Sequence, residues 1–123
     1  MIVRKYEYYF ERFKYGLSLT KNVDYGCPQS VATYNKGAKI YRAAAEAIGK
    51  LYPDRISSFA EMLVNGEYKD RVTCAICILS LMNADSEIQK KALAIIIDVS
   101  TNGTSLERTA YSMWLRDHGY QVP

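Results

Sequence analysis

The chain has 123 residues, of which 49% are hydrophobic and 24% charged, with a net charge of +3. It is long enough to bury one core without disulfides or a structural metal, and its composition is far from that of disordered chains. The charge is uneven: residues 1–55 hold 10 basic and 5 acidic side chains, residues 56–123 hold 6 and 8, a difference suited to steering an acidic partner to the front half.

Val3, Tyr6, Phe10, Phe13 and Leu17 repeat at intervals of three and four and form one stripe of a first helix running to about Gly16. Asn22, Asp24, Gly26 and Pro28 then break all periodicity, which predicts the longest loop over 20–28 and a helix starting beyond it. The second helix, 30–51, carries Tyr34, Ala38, Tyr41, Ala45 and Ile48 on a stripe, and Ala43, Ala44 and Ala45 add helix propensity. It is expected to be the longest.

Pro53 pushes Tyr52 out of the helical region and suits the first turn of a third helix. Ile56, Phe59, Ala60 and Leu63 carry that helix to Asn65-Gly66, where a left-handed stop is expected. A fourth helix, 68–82, presents Val72, Ala75, Ile76, Leu79 and Met82 on one face, with Cys74, Cys77, Ile78 and Leu81 covering much of the rest, so it is expected to be central.

Ser86 and Gln89 match a capping box for a fifth helix, with Ile88, Ala92, Ile95, Ile96 and Val99 on its stripe and a stop at Asn102-Gly103. Thr104 and Glu107 form a second box, opening a last helix that carries Leu106, Ala110, Met113 and Trp114 and ends near Gly119. No stretch alternates as a strand does. The reading is all-α, about six helices in one domain, with antiparallel hairpins where the links are shortest.

Residues 59–118 resemble HEAT repeats, in which a helix ending in paired leucine-like residues is followed by a short turn and a valine-led helix rich in small residues. Here these are Met62-Leu63, Asn65-Gly66 and Val72. The wider chain resembles a bacterial family of uncharacterised HEAT-like domains, the domain of unknown function numbered twenty-nineteen. Its match includes the Tyr34-Asn35-Lys36 helix before the repeats and the Ala110, Trp114, Leu115 helix at the end.

The resemblance implies a short HEAT-like right-handed superhelix, with 1–52 as a basic, tyrosine-rich lead-in and 53–118 as two repeat-like helix pairs. Where HEAT repeats usually place an arginine directly after the valine, this chain has Thr73, with Arg71 before it. The usual Asp-Arg ladder is therefore not carried over to Thr73.

Cys74 and Cys77 project from one side of a helix at a spacing that suits two thiolates on a soft metal, but no second cysteine pair exists and His118 is the lone histidine. They read as core residues, and neither metal nor cofactor is expected. A redox pair would sit at a helix start beside a strand, not inside an apolar helix. Arg116, Asp117 and His118 diverge by about 100° per residue and cannot converge on a substrate, so His118 reads as a helix-end cation. Glycines occur singly, and common catalytic signatures are absent.

A non-enzymatic module that binds a protein partner is the resulting expectation, in line with the exposed face that stacked helix pairs offer. Its most concrete form is an immunity or antitoxin-type protein that binds a bacterial toxin; the basic front half suits a non-nuclease target better than a basic nuclease site. Candidate partner-binding residues are Tyr8, Tyr9, Asn35, Lys36, Lys39 and Arg42. The alternative is nucleic acid, held by the face bearing Lys36, Lys39 and Arg42 with Tyr34 and Tyr41 for stacking.

The apolar runs at 75–82 and 93–97 fall below the roughly 20 residues of a membrane span. Arg4, Lys5 and Glu7 interrupt the run an export signal would need. With three cysteines, an odd number, reduced thiols in a cytoplasmic setting are expected.

Overall fold

The computed structural model describes residues 4–122, and among these the regular structure is entirely α-helical or 3-10, with no strand. The α-helices are α1 (Tyr6–Ser18), α2 (Pro28–Leu51), α3 (Ile56–Phe59), α4 (Met62–Asn65), α5 (Tyr68–Leu81), α6 (Ser86–Asn102) and α7 (Ser105–Asp117). The chain forms two compact units. One gathers the chain up to Phe59 together with Leu81–Asn83; the other takes Ala60–Ser80 and the chain from Ala84 onward. None of the described helices is long and apolar enough to cross a membrane.

In the first unit the stripe read from the sequence is the buried one. Tyr6, Phe13 and Leu17 are buried on α1 and Ala45 and Ile48 on α2, while Phe10 is half-buried; Val3 lies outside the described residues. Phe13 sits edge-on to Phe59, with ring centroids 4.7 Å apart, and to Tyr41 at 5.9 Å, so an aromatic cluster joins α1, α2 and α3. Arg55 covers Tyr6 with its guanidinium 4.2 Å from the ring centre and reaches Glu7 at 3.6 Å. The 19–27 loop is tied down locally, because the Asp24 N–H donates to Ser30 Oγ and the Gly26 N–H to Asp24 Oδ1. Pro28 occupies the first turn of α2.

The expected third helix is broken. A 3-10 turn, Pro53–Arg55, leads into α3, and the chain turns at Ala60 and Glu61 before α4. There the hydrogen bonds tighten to i→i+3, with Leu63 N–H donating to the Ala60 carbonyl and Val64 N–H to that of Glu61. Ser57 and Ser58, weak helix formers, leave this segment little propensity to resist the break.

In the second unit, α6 packs on α7 and α4 contacts α6. The most buried side of α5 is rotated from the expected face: Cys74, Cys77 and Ile78 are buried with Val72 and Ala75, while Ile76 and Leu79 are half-buried. Arg71 Nε donates to the Leu63 carbonyl at 2.9 Å and so satisfies an end of α4.

Three local readings need correction. The N-cap of α6 is Asp85, whose Oδ1 accepts from Ile88 N–H at 2.9 Å, and Gln89 Nε2 donates to the Ala84 carbonyl instead of closing a box with Ser86. Gly66 and Gly103 follow the two Asn positions but take φ −77° and −74°, not left-handed values. Their glycines are required for space: a Cβ would lie 2.8 Å from the Met62 carbonyl oxygen at Gly66 and 2.5 Å from that of Val99 at Gly103. The left-handed glycine is Gly119, φ 80°, after α7.

Helix α7 buries a different side from the expected stripe. Leu106 is 80% exposed and Met113 52%, Ala110 is exposed, and the helix buries Leu115 instead. The Thr104–Glu107 capping box forms as read, with bonds of 3.2 and 2.9 Å.

Candidate functional site

The site is set by how α1 meets α2. Gly16 lies over Gly37 with no side chain between them: a Cβ on Gly16 would come within 2.7 Å of the Gly37 carbonyl oxygen, and one on Gly37 within 2.5 Å of the Gly16 oxygen. From there the partners ascend one helix as they descend the other, Phe13 meeting Tyr41 and Tyr6 reaching Tyr52, so the pair is antiparallel.

Away from the glycines, the short side chains of Ala43 and Ala44 on α2 leave room beside Tyr8 and Tyr9. The space left is a groove of about 380 Å³ lined by Tyr8, Tyr9 and Arg12 of α1 and Lys39, Ile40, Ala43 and Ala44 of α2.

Its aromatic wall is braced. Tyr8 and Tyr9 meet edge-to-face with centroids 5.2 Å apart, and Tyr9 leans on Tyr52 at 6.3 Å. The Tyr52 hydroxyl donates to the Arg4 carbonyl, and the Arg4 guanidinium lies 5.0 Å from the Tyr8 ring centre. Tyr8 remains 44% exposed. Rings held this way lose little freedom when something docks against them.

The electrostatics are one-signed. Glu11 pairs with Lys14 at 2.8 Å, Glu46 with Lys50 at 3.1 Å, and Glu7 faces Arg55. Those carboxylates are engaged elsewhere, and among the described residues Arg12 and Lys39 have no carboxylate partner. No acidic residue lines the groove.

Of the six candidate residues, the structure brings Tyr8, Tyr9 and Lys39 together. Asn35, Lys36 and Arg42 are exposed on α2 outside the groove lining and extend its basic character. Arg12, Ile40, Ala43 and Ala44 were not singled out by sequence. Arg12 had a signal, lying four residues after Tyr8 and three after Tyr9 on one face of a helix. Of the tyrosines considered for base stacking, Tyr34 is half-buried and Tyr41 is committed to Phe13.

Elsewhere, a larger, shallower depression of about 730 Å³ borders α6 and α7, lined by hydroxyl residues with Arg108, Arg116 and Met113. Three of its hydroxyls bond back to their own helices: Ser100 and Thr101 donate to the Ile97 carbonyl and Thr109 to that of Ser105.

Cys74 and Cys77 are buried and outside any disulfide. Burial, then Cys77 and Asp70, pushes the Cys74 thiol pKa far up, so the thiolate that metal binding or nucleophilic attack needs is disfavoured there. Among the described residues no group of three or more His, Cys, Asp or Glu stands together in a metal-holding arrangement. His118 caps α7, its Nδ1 2.8 Å from the Trp114 carbonyl oxygen and its ring stacked on Trp114 at 4.0 Å. No protein-family model, curated protein or solved structure matches the chain.

Proposed function

We propose that this chain is a non-catalytic binding module that recognises a protein partner through the face formed by α1 and α2. The observation that supports the reading is the groove itself: an apolar floor of Ala43, Ala44 and Ile40, a braced tyrosine wall and two cations, Lys39 and Arg12, neither with a carboxylate partner, the Arg12 guanidinium lying 5.6 Å from the Tyr15 ring centre. Depletion of carboxylates at an aromatic, partly apolar centre with arginine at hand is the composition of a protein-binding patch. The HEAT-like resemblance adds a scaffold that commonly serves such a role.

In its narrower form the module is an immunity or antitoxin-type protein whose target presents an acidic surface. Complementary charge would then speed the encounter and reject basic targets.

The test is capture from the native cell with the full chain and with Ala43→Trp, which fills the groove from an exposed position. One protein retained stoichiometrically by the parent and lost by the variant is the expected result. Retention of no protein, together with RNA or DNA binding that weakens steeply with salt, would transfer the function to nucleic acid.

A further inference from the structure

Resting on that reading, we infer that the groove takes an apolar side chain flanked by carboxylates, carried on an acidic peptide segment of the protein partner. The volume, about 380 Å³, is at the small end of the roughly 300–1,000 Å³ spanned by ligand pockets. It holds one or two bulky side chains, not the whole face of a docked helix.

The floor supplies only methyl and methylene groups from Ala43, Ala44 and Ile40, and the polar groups of the groove belong to its walls, Tyr8, Tyr9, Arg12 and Lys39. The tyrosines are also poor platforms for stacking nucleotides, since Tyr8 and Tyr9 oppose each other edge-to-face and Arg4 occupies a face of Tyr8. An apolar side chain inserted against Tyr8 and Tyr9 loses water without leaving a buried polar group unpaired.

Specificity for acid comes from how the carboxylates of this unit are distributed. Glu7, Glu11 and Glu46 are drawn to Arg55, Lys14 and Lys50. Arg12 and Lys39 are left at the groove, with Lys36 and Arg42 exposed along α2. Two carboxylates beside the inserted side chain would find both cations. Arg12 offers the two-pronged geometry that suits a carboxylate and Lys39 a point charge. The outer cations contribute attraction at longer range.

The experiment selects peptides from a random display library on the full chain and measures their affinity for the parent, Arg12→Glu, Lys39→Glu and Ala43→Trp, each checked for unchanged helical content by circular dichroism. Selected peptides should place Asp or Glu on both sides of an aliphatic or aromatic residue. Each charge reversal should weaken them about tenfold or more, and changing one peptide carboxylate to lysine should restore binding to Lys39→Glu.

Peptides with no acidic enrichment, or binding that survives both charge reversals, would overturn this inference. If the protein captured from the cell is lost by Ala43→Trp yet kept by both reversals, the binding face stands and the acidic specificity falls. Tighter binding of a random single-stranded RNA 20-mer than of any selected peptide, abolished by Ala43→Trp, would overturn both.

Discussion

Two helix pairs in this chain are joined in opposite ways. The α1–α2 pair is connected by a long loop and comes together at Gly16 and Gly37, backbone against backbone. The α6–α7 pair is connected by Gly103 and Thr104 alone, and its geometry is fixed at that turn by a capping box, with Leu115 the buried residue of α7.

Where the backbones carry the contact, side chains further along are released from packing, and two alanines opposite two tyrosines leave a groove. Where the turn carries it, Leu115 seats the helix, Tyr111 and Trp114 are half-buried, Leu106, Ala110 and Met113 face outward, and the depression along α6 and α7 is lined mainly by hydroxyls and arginines. The pair closed by its backbone thus holds a smaller groove walled by tyrosines and cations, and the pair closed by its turn borders a larger one lined by hydroxyls and arginines.

The α1–α2 contact is most sensitive at Gly37. A Cβ there would lie 2.5 Å from the Gly16 oxygen and 2.7 Å from Leu19 Cβ. Gly37→Leu should cost about 3 kcal/mol or more in urea unfolding, because overpacking against backbone outweighs the roughly 1 kcal/mol gained in helix propensity. An unchanged midpoint would show that the glycines are incidental.

On the other pair, Leu115→Ala should cost about 2–5 kcal/mol, and Leu106→Ala, on the exposed face, should stay within about 0.5 kcal/mol. Equal effects would mean that both faces of α7 are covered.

Smaller effects sharpen the role of the turn. Thr104→Ala and Asp85→Ala should each lower stability by about 1 kcal/mol, whereas Ser86→Ala should be nearly neutral because its neighbour makes the cap. A larger loss at Ser86 than at Asp85 would restore the box read from the sequence.

The smallest effect should be alkaline. The Cys74 pKa is raised in the fold by burial, so the thiol contribution is fully present below the unfolded thiol value of about 8.5 and is progressively lost as pH rises above it. Unfolding midpoints should therefore fall at high pH, less so in Cys74→Ala. Iodoacetamide should label Cys27 in the native chain well before Cys74 or Cys77. Rapid native labelling at Cys74 would contradict its burial.

Helix existence and most ends were legible in the sequence because the signals are local. Pro28 and Pro53 preset their turns, and Thr104 with Glu107 needs only its own four residues. The cap at Asp85 was missed by one position because two good capping residues stand side by side, and only the backbone direction decides between them.

The buried face of α7 was misread for a related reason. Leu106, Ala110 and Met113 keep helical spacing as well as any core stripe does, and spacing alone does not tell which side of the helix the rest of the unit covers. At the candidate site the cations and tyrosines were legible as an excess. The groove was not, since alanines that form a floor look in sequence like alanines that merely favour a helix.

One further property follows from where the aromatic residues lie. Trp114, the sole tryptophan, stacks on His118 and lies parallel to Tyr120 at 6.0 Å, all within the second unit. Eight of the eleven tyrosines fall in the first 52 residues. Emission excited at the red edge of the spectrum therefore watches one unit, and near-ultraviolet tyrosine dichroism watches mainly the other. A single melt followed at both wavelengths, with no label and no mutation, tells whether the two halves of the chain lose their structure together or in turn.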